Sequence, residues 1–266
     1  MLLVWGGGAV KGETVSFPTL KEVPAETWKA LGAKKMYFGH QSVGDNIIQG
    51  MLSIKKANPF TKLEIISINA PEKLSRPGFY HSSIGKNDDP LSKVQAFKNY
   101  VENGIGNSAD IAFFKFCFWD IREKVDVGHM FDEYRATLSA LKSRYPRTTF
   151  AHVTVPLMSS PDGVKERVKR SLGIPVEFDS DNILRSTINE LILKEYLGKE
   201  PLFDIALVES TLPNGTRSVF AKNGKTYYSL ASEYTRDGGH LNEEGQRRVA
   251  EQFLIFLARL AAKGES

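Results

Sequence analysis

Apolar positions along the chain fall into blocks whose period changes from block to block. Short, nearly continuous apolar runs occur at Lys35-Met36-Tyr37-Phe38, at Leu63-Glu64-Ile65-Ile66-Ser67-Ile68, and at residues 110–121, 148–157 and 202–209. Their length and their aromatic or branched content predict buried strands. Between them, apolar residues recur at helical spacing. These segments cover residues 24–31 (Trp28, Leu31), the stretch from Asn46 to just before Asn58-Pro59, and residues 91–101 (Val94, Phe97, Val101). Three more follow at 128–145 (Met130, Phe131, Tyr134, Leu138, Leu141), 181–197 (Ile183, Leu184, Ile188, Leu191, Ile192) and 243–262 (Val249, Phe253, Phe256, Leu257, Leu260), the last capped by Asn242. Strands alternating with helices predict an α/β fold: a three-layer α/β/α sandwich on a central, mostly parallel sheet, flavodoxin-like in plan. Residues 1–24 read as a leader or loosely packed N-terminal arm, and 25–266 as a single domain.

Three segments break the alternation. Residues 69–90 read as a long polar loop, too long for a mere connection. Residues 158–178 form a polar, basic insertion after a strand end, where such segments shape pockets. Residues 210–232 read as a loop with a small hairpin, bent at Asn214-Gly215 and Asn223-Gly224.

Composition narrows the function classes. A chain of 266 residues with 41% hydrophobic and 25% charged residues can bury a large core as an ordinary globular protein. The net charge of +4 is spread among acids, which argues against a nucleic-acid partner. The single cysteine, Cys117, excludes an intrachain disulfide and a cysteine-rich zinc site, and inside an apolar run it reads as a small buried hydrophobe. No run is long enough for an integral membrane segment. The apolar start Met1-Leu2-Leu3-Val4-Trp5 lacks a basic region, so a clipped export signal and a plain chain end both stand as readings, and the compartment stays open. No Walker loop, GxGxxG or metal-ligand spacing occurs, so no cofactor and no metal are expected.

Chemistry concentrates in two stretches. In Phe38-Gly39-His40-Gln41-Ser42-Val43-Gly44-Asp45, Ser42 stands at a strand-to-helix turn with glycines on both sides. Two roles fit it: an ordinary helix N-cap, or a nucleophile beside helix-start amides able to hold a developing anion. In Asp237-Gly238-Gly239-His240, an acid precedes a histidine by three residues, just ahead of the last helix. Such a histidine can take a serine proton while the aspartate fixes its tautomer. His152 reads as a satisfied strand histidine and His129 as a helix-start residue. Lys115, inside an apolar run, is expected either to snorkel at a strand edge or to meet a carboxylate.

On the serine block and the closing Asp-x-x-His block, the chain resembles the SGNH/GDSL hydrolase superfamily. The first block departs from Gly-Asp-Ser, with His40-Gln41-Ser42 in its place. The resemblance implies a catalytic set of Ser42, Asp237 and His240, with the oxyanion held by the Ser42 amide and a glycine amide after the second strand, Gly85, with Gly78 as runner-up. The family's third block carries Gly-x-Asn-Asp, where this chain has Cys117-Phe118-Trp119-Asp120, so the asparagine donor is missing. Its work then falls to the Trp119 indole, to Asn87, to Lys115 or to nothing. The implied activity is hydrolysis of an acyl ester, acetyl on a carbohydrate or another small molecule, through an acyl-serine. The alternative is a catalytically weak relative that binds a glycan or another ligand in the same cleft.

Overall fold

A computed structural model of the protein describes residues 14–59, 62–161 and 163–263. The remainder of the expected arm, residues 1–13, and the tail 264–266 lie outside the described residues. In chain order the elements are α1 (Ala25–Ala33), β1 (Lys35–His40), α2 (Val43–Ala57), β2 (Ile65–Ser67), β3 (Gly78–Ser83), α3 (Pro90–Glu102), β4 (Ile111–Phe114), α4 (Val127–Arg144), β5 (Thr149–Phe150) and β6 (His152–Val153). There follow α5 (Val164–Ser171), α6 (Asp179–Tyr196), β7 (Leu202–Phe203), α7 (Ile205–Ser210), the pair β8 (Val219–Lys222) and β9 (Lys225–Tyr228), and α8 (Glu243–Lys263).

Five strands form a parallel sheet in the order β2-β3-β1-β4-β5. Ala151 separates β5 from β6, and its N–H donates to the Ala112 carbonyl (3.2 Å), after which β6 pairs in parallel with β7. Side chains alternate across the sheet, as a pleat requires. Met36, Phe38, Phe79, Ile111 and Phe113 face one core with α1, α2, α7 and α8, whereas Tyr37, Tyr80, Ala112 and Phe114 face a second core with α3, α4 and α6. The architecture is thus a three-layer α/β/α sandwich on a parallel sheet.

Several elements differ from the sequence expectation. The polar loop over 69–90 contains a strand, β3, between β2 and β1. Its polar residues are paired rather than solvated: Tyr37 and Ser82 share a hydrogen bond of 2.7 Å, and the rings of His40 and His81 meet at 3.0 Å (Nε2 to Nδ1). The apolar run 202–209 is a strand for two residues only. Asp204 then accepts from the Leu207 amide (3.0 Å) and caps α7, so the run continues as helix. Residues 14–24 are not a loose arm. Gln252 Nε2 donates to the Pro18 carbonyl (2.9 Å), Val15 N–H donates to the Gly215 carbonyl (2.9 Å), and Val23 is buried. The hairpin forms at Asn223-Gly224, both with positive φ (52° and 75°), which suits the right-handed twist of β8 and β9.

Lys115 takes neither of its expected roles. It is fully buried, and its ammonium donates to the carbonyls of Gln41 (2.9 Å) and Phe116 (3.2 Å). His152 is buried and satisfied, bonded to the Tyr134 hydroxyl (2.6 Å) and to Glu200 (2.9 Å). No helix among the described residues is long and apolar enough to cross a membrane.

The serine-bearing helix α2 and the closing helix α8 pack closely through Gly50, where an added Cβ would overlap the Gln246 carbonyl oxygen and the Ala250 methyl. Gly50→Ala is therefore expected to lower the unfolding free energy by about 1–3 kcal/mol in urea denaturation. Parent-like stability would show that the helices have room to spare.

Candidate active site

Because β1, β3 and β4 run parallel, their C-terminal ends open on one edge of the sheet. β1 ends at His40 and turns into α2 through Gln41 and Ser42. Ser42 sits at the N-cap position with φ 55° and ψ −108°, a conformation costly for a residue with a Cβ, of order 1–3 kcal/mol. Its hydroxyl makes no capping bond to the helix. The turn is held from around it: the Gln41 carbonyl accepts from Lys115 Nζ and from the Gly44 amide (3.0 Å), and Gln41 Nε2 donates to the Gly85 carbonyl (2.6 Å). Gly44 leaves room for the His40 ring, which a Cβ there would strike.

The loop before α8 meets this turn. Ser42 Oγ lies 2.8 Å from His240 Nε2, and His240 Nδ1 lies 2.7 Å from Asp237 Oδ2. The other carboxylate oxygen of Asp237 accepts from the amides of His240 (2.8 Å) and Gly239 (3.0 Å). With Nδ1 donating to the carboxylate, Nε2 is the acceptor for the serine proton. Partial burial works to raise the Asp237 pKa, but the bonds from the Gly239 amide and from the ring and amide of His240 outweigh it and hold the carboxyl at about 2. The loop is anchored by Leu241 N–H to Asn46 Oδ1 (3.0 Å) and by Ser159 N–H to the Gly238 carbonyl (2.8 Å). The absence of a Cβ at Gly239 lets the Phe118 ring close on the loop, where it packs edge-on to His240 at 5.4 Å.

A cavity of about 370 Å³ opens over the serine, lined by Ser42, Asn87, Cys117, Phe118, Trp119, Met158, Phe178, Asp237, Gly239 and His240. Most residues expected from sequence therefore border one space: Ser42, Asn87, Cys117, Trp119, Asp237 and His240. Two do not. Gly85 is absent from the lining; it has φ 64°, and its Cα packs so closely against Lys93 that a Cβ would fall 2.5 Å from Lys93 Cγ. Gly78 begins β3, pairs with Lys35, and so lies at the opposite end of the strands. The Cys117 amide is also committed, donating to Asp120 Oδ2 (2.7 Å). The Trp119 ring carries the Arg122 guanidinium 4.5 Å above its centre.

One residue of the site escapes a reading by residue type. Lys93, fully buried, donates to both oxygens of buried Asp120 (2.6 Å each) and to Asn87 Oδ1 (3.1 Å). An ammonium has no acceptor, so it fixes the Asn87 amide with oxygen inward and its NH₂ directed away from the ion pair. The signal it carries in the sequence is its phase: Lys93 is in helical register with Phe97 and Val101 on the buried side of α3. Among the described residues, no three His, Cys, Asp or Glu side chains are grouped as a metal ion would require.

No protein-family model matches the chain. No curated protein matches its sequence. Solved structures with a similar chain path include a carbohydrate esterase family 3 protein from Talaromyces cellulolyticus, 13% identical, over 86% of this chain and 97% of that one, with a TM-score of 0.49. Others are a candidate GDSL-like lipase from Parabacteroides merdae ATCC 43184 (12% identity, 84% and 94%, TM-score 0.48) and the periplasmic domain of a lipopolysaccharide acetyltransferase from Salmonella ser. Paratyphi A (12% identity, 84% and 83%, TM-score 0.43). At these values the chemistry of the site rests on its own geometry.

His40, behind the serine turn, and His152 are held neutral. Burial, aided by Lys115 and His81, pulls His40 down to about 3. Burial, with Lys142 nearby, outweighs the Glu200 bond and pulls His152 to about 4. The unfolded chain then binds more protons than the native one once the pH drops below the ordinary histidine value of about 6.5. Stability present above that pH is expected to drain away as the pH approaches first 4 and then 3. Thermal melts should show Tm falling between pH 7.5 and 4.5, with a weaker fall for His40→Asn; a flat Tm would refute the neutral assignment.

Proposed function

We propose that this chain is a serine hydrolase of the SGNH type that cleaves a small acyl ester, acetyl on a carbohydrate, through an acyl-serine intermediate. The observation that carries the reading is the unbroken chain Asp237–His240–Ser42, with bonds of 2.7 and 2.8 Å, ending in a hydroxyl at the floor of a cavity. An ordinary N-cap serine would spend that hydroxyl on its own helix, and this one does not.

In the proposed first step, His240 Nε2 takes the Ser42 proton as Oγ attacks the ester carbonyl, and the carbonyl π pair moves onto oxygen. Asp237, ionised across the working pH range, stabilises the imidazolium without taking its proton. The oxyanion is received by the Ser42 amide at the start of α2 and by the Asn87 NH₂, whose orientation Lys93 and Asp120 impose. This assigns to Asn87, from the loop after β3, the work that a third-block asparagine would do. The alcohol leaves with the proton from His240. Water then repeats the sequence on the acyl-serine and regenerates the hydroxyl. The aromatic faces of Phe118, Trp119 and Phe178 suit the apolar faces of a sugar ring and a short acyl group.

Intact-mass analysis after fluorophosphonate treatment tests the nucleophile. One adduct is expected on the parent, none on Ser42→Ala, and much slower labelling on His240→Ala. No label under conditions that saturate a known serine esterase would overturn the hydrolase reading in favour of a ligand-binding cleft. Asn87→Ala is expected to lower kcat on acetylated sugars by about 10²–10³ with a smaller effect on KM. An unchanged kcat would remove Asn87 from the oxyanion site.

A further inference from the structure

The strap over residues 158–178 leaves the cavity wall at Met158 and returns to it at Phe178. Between them it carries α5, a helix with its polarity reversed. The inward side is polar: Arg170 Nε donates to Asp179 Oδ2 (2.8 Å) and its Nη2 to Ser160 Oγ (2.7 Å). The outward side is apolar. Val164, Val168 and Leu172, one turn apart, are 80%, 51% and 69% exposed, and Ile174 beyond them is 48% exposed. Other exposed large hydrophobic residues among those described, Leu52 and Val219, stand singly. The stripe is flanked by cations, Lys165 and Lys169 on one side and Arg167 on the other, and neither lysine has an acidic partner among the described residues.

We infer that α5 is a docking surface for an anionic lipid bilayer. Val164, Val168, Leu172 and Ile174 enter the boundary between headgroups and acyl chains, and Lys165 and Lys169 meet lipid phosphates. Charge and shape choose this occupant. A second copy of the chain would bring two cationic margins together. A nucleic acid would leave the apolar stripe in water. A side chain that is 69–80% exposed stands on a ridge rather than in a groove, and a fluid bilayer closes around a ridge without needing a matching pocket. Because the strap borders the cavity, docking presents the serine to esters carried at a membrane surface. The docking itself does not depend on the hydrolase reading.

Cosedimentation of the full chain with vesicles tests this directly, and reads binding without any turnover. The chain is expected to pellet with phosphatidylcholine vesicles containing about 30% phosphatidylglycerol and to stay in solution with phosphatidylcholine alone. Raising salt to about 0.5 M, or Lys165→Glu with Lys169→Glu, should weaken binding by about tenfold or more. Val168→Asp with Leu172→Asp should do the same while keeping the circular-dichroism melt of the parent. Three results would overturn the inference: no pelleting with anionic vesicles at millimolar lipid, binding indifferent to Val168→Asp/Leu172→Asp, or light scattering that shows a dimer dissolved by that double variant in a chain that ignores lipid. Failure of the fluorophosphonate experiment would leave this result untouched.

Discussion

The geometry of the site depends on one carbonyl. The oxygen of Gln41 accepts a bond from a fully buried lysine ammonium, Lys115, and another from the Gly44 amide, while the side chain of the same residue ties to the Gly85 loop. These bonds fix the peptide from which Ser42 departs at φ 55°. A residue with a Cβ does not hold such a conformation unaided. Lys115 is itself desolvated, and burial pulls its pKa down, so it needs those carbonyls as much as they need it. Lys115, the residue that follows β4, therefore helps to set the geometry of the Ser42 turn without lining the cavity.

The same economy appears across the cavity. Lys93 and Asp120 are both fully buried, and breaking such a pair leaves one charge stranded at a cost of several kcal/mol. The pair spends its remaining hydrogen-bonding capacity on the site: the carboxylate takes the Cys117 amide, and the ammonium takes Asn87 Oδ1. A buried ion pair is weak evidence for stability alone; this one also holds the side-chain amide of Asn87, a residue that lines the cavity. The exposed Asp237 and His240 contrast with it. The bond between them is short, but water reaches both side chains, so it adds little to holding the fold.

The layered α/β plan was legible because parallel strands buried on both faces are written as long apolar runs. Legibility failed where polar residues are satisfied internally. Strand β3 reads Gly-Phe-Tyr-His-Ser-Ser and resembles a loop until His40 and Tyr37 supply its partners from β1. The run after Leu202 is apolar enough for a strand, and the single carboxylate of Asp204 converts it into a helix. In the site, Ser42 stood out because it lies between Gly39 and Gly44 at a strand-to-helix turn, and Asp237 and His240 because they flank the Gly238-Gly239 pair just ahead of the last helix. Lys93 did not, since a lysine in a helix is usually a surface residue. The outward apolar stripe of α5 was hidden by the basic residues between its members.

The packing of α2 on α8 at Gly50 has a further meaning. Ser42 and His240 are 198 residues apart in sequence; Ser42 is the N-cap residue of α2, and His240 lies in the loop just before α8. Their separation is thus a property of how closely two helix axes approach, relayed by the Asn46 bond to Leu241. Transplanting the two loops into another scaffold would carry over the side chains but lose the ruler that spaces them. Any process that remodels this site, in evolution or in the laboratory, must work through a glycine contact in the core two turns away from the chemistry.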